Sequence, residues 1–79
     1  MDGCGHANAQ VHGPSFESYY IELYGATKVY DSYYNPHGSG AYTTTFTVGS
    51  DIVAAYGALY NFQTGNLIDE GVTGYHSAQ

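Results

Sequence analysis

Between Phe16 and Tyr75 the sequence is cut into short runs rich in Tyr, Val, Ile, Thr and Phe by clusters of Gly, Pro, Asn and Ser. The turn signals recur about every 8 to 12 residues, a spacing that points to short antiparallel strands closing on themselves. The first run, Phe16 to Tyr24, lies between Gly13-Pro14 and Gly25. Its alternation directs Tyr19, Ile21 and Leu23 inward and Tyr20, Glu22 and Tyr24 to the opposite face. A second strand is expected over Thr27 to Tyr34. Here Asp31 falls in the set Val29, Asp31, Tyr33, so Lys28, Tyr30, Ser32 and Tyr34 are expected to face the core. The run Asn35-Pro36-His37-Gly38-Ser39-Gly40 is expected to break the ladder, because Pro36 has no backbone donor and the glycines permit positive φ.

Ala41 to Val48 alternates most cleanly, with Tyr42, Thr44, Phe46 and Val48 on one side, and reads as a half-buried strand. From Ile52 to Phe62 a helical reading competes, since Ile52, Ala55, Tyr56, Leu59 and Tyr60 recur at helical spacing. The strand is favoured, because Gly57 costs about 1 kcal/mol inside a helix and the period-2 set Ile52, Ala54, Tyr56, Ala58, Tyr60, Phe62 is equally regular; Gly57 is then expected to mark a bulge. Gln63 to Asn66 reads as a hairpin turn and Gly71 to His76 as a last strand. The fold class expected is all-β, a small antiparallel β-sandwich of five to six short strands or an open barrel.

The chain has 79 residues, enough for one domain that buries only about 60% of its unfolded surface. So thin a core must draw on large side chains, and ten Tyr and three Phe supply them. No disulfide is possible within the chain, since Cys4 is its one cysteine. Residues 1–14 are expected as a flexible leader and residues 15–79 as a single sandwich domain.

A net charge of −6, with Lys28 as the single basic side chain besides histidine, disfavours nucleic acid and simple adhesion to anionic membranes. No apolar run reaches the 18 or so residues of a membrane-spanning helix. The triplet Ala7-Asn8-Ala9 is like a signal-peptidase site without the basic and apolar regions that precede one. The composition, rich in Tyr, Thr, Gly and Asn, fits a secreted bacterial β-protein.

No catalytic or metal pattern stands out. Asp31, His37 and Ser39 can be written as a triad, yet no nucleophile elbow surrounds the serine. His6, His12, His37 and His76, or Asp31, Asp51, Asp69 and Glu70, follow no zinc or calcium spacing, and no cofactor is implied. The tyrosines carry more. Thirteen aromatic side chains cannot all be internal in so small a domain, and Tyr at a surface serves either cross-strand packing or contact with a ligand. The expected binding residues are Tyr30, Tyr33, Tyr34, Asn35 and His37, where rings adjoin hydrogen-bonding groups suited to a sugar or a protein partner.

The stretch from Glu22 to Gly40 resembles the signature region of the lactococcin 972 bacteriocin family: Tyr24-Gly25 stands for its aromatic-Gly pair, and Val29 to Pro36 for the aromatic-polar-Tyr-Tyr run. Thr45 to Gly49, Gly57-Ala58 and Asn66 to Tyr75 are similar to later elements, so the resemblance spans about residues 22–76. It implies a compact β-sandwich, secretion by Gram-positive bacteria and antibacterial action at the cell envelope, with lipid II as the type member's target. This chain has no Trp, where the family usually carries it, and is acidic. The expected function is therefore a secreted, non-enzymatic antibacterial protein that binds a cell-envelope component. The other is a structural or adaptor module that joins an extracellular assembly, by self-association or with a partner protein, through a strand edge or the first 14 residues.

Overall fold

A computed structural model describes residues 3–79 of the chain. The protein is all-β, with seven antiparallel strands among the described residues: β1 (His6–Ala7), β2 (Gln10–Gly25), β3 (Val29–Tyr42), β4 (Phe46–Thr47), β5 (Ile52–Tyr60), β6 (Leu67–Val72) and β7 (His76–Ser77). One sheet has the order β3-β2-β5-β6, with β7 pairing the start of β5, and β1 and β4 form a small second sheet. The two are packed together as a sandwich.

Two strands are far longer than the sequence suggests, at 16 residues for β2 and 14 for β3. They form one ribbon that bends over. Gly13 to Phe16 bulge out of β2 between the pairs His12↔Gly40 and Glu17↔Gly38, and a second register shift follows before Tyr19↔Asn35. Beyond the bend Val11 lies over Gly57 of β5, where an added Cβ would come within 3.0 Å of the valine side chain. The far end of the ribbon thus joins β1 and β4 as the second layer. Asn35 holds the bend by donating from Nδ2 to the Gly40 carbonyl at 2.7 Å.

Asn35 to Gly40 therefore does not end the strand as expected. Pro36 is tolerated because β3 is an edge strand and the proline lies within a bulge, where Pro36 and His37 together span the step from Glu17↔Gly38 to Tyr19↔Asn35. Its carbonyl accepts a hydrogen bond from Ser18 Oγ at 2.7 Å.

The core lies on the side of the main sheet that bears Tyr19, Ile21 and Leu23, the three largest fully buried side chains, as alternation from Phe16 predicts. Ala7, Ala9, Ala41, Val48, Val53 and Ala78 complete it. Residues 3–14 do not form the expected separate leader. His6↔Thr47 and Ala7↔Phe46 pair, Gly5 N donates to the Ala78 carbonyl at 3.0 Å, and Ala7 and Ala9 are core residues. Residues 1 and 2 of that leader lie outside the described residues.

Over 41–48 the expected phase is reversed at its start. Ala41 and Thr43 are buried and Tyr42 is exposed, with Thr43 Oγ1 accepting from Ala9 N at 3.0 Å. Irregular backbone at residues 43–45 then resets the phase, so that Val48 is buried and Phe46 packs against the core. β5 is a strand, as expected over Ile52 to Phe62, but Gly57 is not a bulge: its pairing with Ile21 of β2 is regular. The glycine makes room for Val11. Gly57→Ala is expected to cost about 1 kcal/mol by overpacking, and Val11→Ala in the same chain to recover much of that loss. Urea denaturation of both single variants and the double variant measures the coupling.

The expected turn near Gln63 to Asn66 is present and begins at Asn61, whose Oδ1 accepts from Gln63 N and Thr64 N, both at 2.9 Å. Gly65, at φ +75°, closes it with a bond from its N–H to the Asn61 carbonyl.

Candidate binding face

Directly opposed residues of an antiparallel pair share a face. On the side of the main sheet away from the core, Tyr34 of β3 stands opposite Tyr20 of β2, which stands opposite Ala58 of β5 and, through it, Glu70 of β6. The next row runs Ser32, Glu22, Tyr56 and Val72. Tyr24 stands opposite Ala54, and Tyr60 opposite Ser18. The outer face is therefore a field of tyrosines with two carboxylates set among them. Ala54 and Ala58 are buried despite being on this side, because they are short and their ring-bearing neighbours lie across them.

The phenols are held by hydrogen bonds. Tyr20 donates to Glu22 Oε1 at 2.7 Å and Tyr56 donates to Glu70 Oε2 at 2.6 Å. The Tyr20 and Tyr56 ring centroids are 6.1 Å apart, and Tyr24 meets Tyr75 edge to face at 5.8 Å, both within the range of favourable aromatic pairs. Tyr20, Tyr34 and Tyr60, with Gly65 of the turn, line an open cavity of about 280 Å³.

The carboxylates change the acidity of the rings. The Tyr56 phenol is pushed up to about 12, first by its bond to Glu70 and then by partial burial and the negative charge of that carboxylate. Tyr20 is raised in the same direction, chiefly by Glu22. A phenol whose folded value lies above the ordinary value near 10 keeps its full stabilising effect below pH 10 and loses it as pH rises through the folded value. The urea midpoint is therefore expected to hold up to about pH 9 and to fall between about pH 10 and 12, and the fall to be smaller in Tyr56→Phe.

The residues expected to bind do not converge. Tyr34 is on the outer face and 53% exposed. Tyr33, opposite Ile21, belongs to the other side, where it lines a groove of about 410 Å³ with Asp31, Asn35 and Tyr42, between the two ends of the bent β3. Asn35 is occupied in pinning the bend. Tyr30 falls in a bulge, packs against the core and donates to Asp51 Oδ2 at 2.7 Å, with Lys28 Nζ 4.6 Å from its ring centroid. The set expected to face the core is therefore split, since Ser32 and Tyr34 point outward while Tyr30 is drawn in.

His37 stacks on Phe62 at 4.1 Å and lies 5.3 Å from Phe16, forming a second aromatic patch at the bend. Phe16 is 71% exposed and has φ +67°, a conformation costly for a bulky side chain. The residues that sequence reasoning left out of the site are Tyr20, Tyr56, Tyr60, Glu22 and Glu70. The alternation opposite Tyr19, Ile21 and Leu23 marks the first of them, but their assembly depends on cross-strand register.

Compared with known proteins, the chain matches no family model, no curated protein and no solved structure. Among the described residues no group of three or more His, Cys, Asp or Glu could hold a metal ion, and no helix is long and apolar enough to cross a membrane.

Proposed function

We propose that this protein is a secreted, non-enzymatic antibacterial protein that binds a component of the bacterial cell envelope through the outer face of its main sheet. The observation that carries the reading is the group of Tyr34, Tyr20 and Tyr60 around an open cavity, flanked by hydrogen-bonded carboxylates. Rings give contact area at small cost in side-chain entropy, and carboxylates and phenols orient a polar ligand. Such a surface suits the sugars and peptides of an envelope polymer better than an exposed phosphate, which a charge of −6 would repel. The resemblance of Glu22 to Gly40 to the lactococcin 972 family supports the antibacterial part, with lipid II among the candidate targets.

The test is co-sedimentation with purified Gram-positive cell walls, together with growth inhibition of the same strains. The wild-type chain is expected to pellet and inhibit, and the double variant Tyr34→Ala with Tyr60→Ala to lose both. A chain that stays in the supernatant and leaves growth unchanged overturns the proposal.

A second reading, a structural or adaptor module of an extracellular assembly, draws on β3. That strand pairs with β2 on one side only and is an edge 14 residues long. Residues 6–7 and 10–12 being paired within the fold, the edge is the joint this reading draws on. Self-association in light scattering, combined with indifference to cell walls, is the result that favours it.

A further inference from the structure

We infer that Tyr20, Tyr34 and Tyr60 form an aromatic cage for an organic ammonium group. The inference rests on the outer face being the binding face and adds the chemical class of the group it takes. Three tyrosines from three adjacent strands, β2, β3 and β5, converge on one open cavity, with Gly65 of the turn as its fourth lining residue. At about 280 Å³ the space falls just below the roughly 300 to 1,000 Å³ of ordinary ligand pockets, so it accepts a headgroup and not a whole drug-sized molecule.

Charge selects the class. The faces of tyrosine rings attract cations, and quaternary ammonium groups are the ligands best matched to several rings at once. The Tyr20 hydroxyl donates to the Glu22 carboxylate at 2.7 Å, which places electron density on the phenol and a full negative charge beside the cage. A second carboxylate, Glu70, stands in the same cross-strand row as Tyr34, Tyr20 and Ala58. The net charge of −6 raises the concentration of cations near the whole surface. The chain's single Lys or Arg side chain, Lys28, is engaged elsewhere, over the Tyr30 ring. That contact is the same interaction made internally.

The test is an NMR titration of the tyrosine ring signals of the full chain with choline chloride and n-butylammonium chloride at matched ionic strength, and with the uncharged isostere 3,3-dimethylbutan-1-ol. Choline is expected to shift Tyr20, Tyr34 and Tyr60 saturably, with a dissociation constant on the order of millimolar, while the neutral isostere leaves them in place. Tighter binding of choline than of n-butylammonium assigns the cage to N-methylated headgroups, and the reverse order to lysine-like amines; either supports the cage. Tyr34→Leu, at an exposed position, is expected to weaken binding about two- to fivefold, and Glu22→Gln by a similar factor. Equal shifts from the neutral isostere, no saturable shift from either cation, or unchanged affinity in Tyr34→Leu would each overturn the inference. Because no envelope material is present, a chain that pellets with cell walls but ignores both ammonium ions loses the cage and keeps the envelope-binding proposal.

Discussion

Tyr19→Ala is expected to remove most of the stability of this protein. Tyr19 is one of three large side chains that are fully buried among the described residues, and truncating a large aromatic ring in a core costs about 3 to 5 kcal/mol. A chain of this length has roughly 4 to 12 kcal/mol in all. The ring has a second task, because its hydroxyl donates to the Pro14 carbonyl at 2.6 Å and so ties the bulge at residues 13–16 to the core. Gly13 leaves room for it, since a Cβ there would come within 2.6 Å of the phenol oxygen. Tyr19→Phe keeps the ring, and is expected to cost only about 1 kcal/mol for the lost bond. Urea denaturation followed by circular dichroism separates the two: near-complete loss of the cooperative transition in Tyr19→Ala, and a modest shift of its midpoint in Tyr19→Phe. Equal effects would mean that the hydroxyl, not the packed ring, is what matters.

The second large effect is expected at Gly40. A Cβ at this position would collide with the Val11 carbonyl oxygen and come within 3.2 Å of the His12 Cα. Backbone cannot move aside as a side-chain tip can. The contact lies where the ribbon has folded over, with His12 and Gly40 paired and the Gly40 carbonyl accepting from Asn35. Gly40→Ala is therefore expected to cost about 1 to 3 kcal/mol or more by pushing the two strands apart. Asn35→Ala attacks the same bend by removing the bond to the Gly40 carbonyl and the longer one from His37 N, and is expected to cost about 1 kcal/mol. Thermal unfolding of both variants checks the order. A Gly40→Ala chain as stable as wild type would mean that the bend is looser than its geometry requires.

The fold was legible where a residue's own neighbours determine it. Alternation around Tyr19, Ile21 and Leu23 identifies the core face, and the regular set from Ile52 to Tyr60 identifies a strand against a competing helix. Legibility failed at the ribbon's bend, because Pro36 and three nearby turn residues carry the local signature of a chain break. A bulged edge strand accommodates them, and nothing local announces that β3 is an edge. The first residues were misread for a related reason. Gly5, Ala7 and Ala9 follow a period of two, but small side chains give it little hydrophobic weight, and their burial comes from distant segments, β4, Thr43 and Ala78.

The binding face follows the same division. Tyr34 is among the expected binding residues, yet strand parity turns it to the core, and its exposure follows from the pairing Tyr20↔Tyr34 on the outer face. Its partners Tyr20 and Tyr60 lie 14 and 26 positions away, and only the pairings Tyr20↔Tyr34 and Tyr20↔Ala58 bring them to one cavity. Tyr30, by contrast, carries the same side chain as Tyr34 and is drawn inward by a bulge and by Asp51. Parity along a strand assigns a face only while the register stays regular.

Binding at the outer tyrosine face is tested by mapping ring and amide signals while solubilised cell-wall fragments are added to the isotopically labelled chain. Changes are expected to concentrate at Tyr20, Tyr34, Tyr56 and Tyr60, with Tyr19, Ile21 and Leu23 undisturbed. Changes centred instead on Phe16, His37 and Phe62, on the free edge of β3, or nowhere would contradict it.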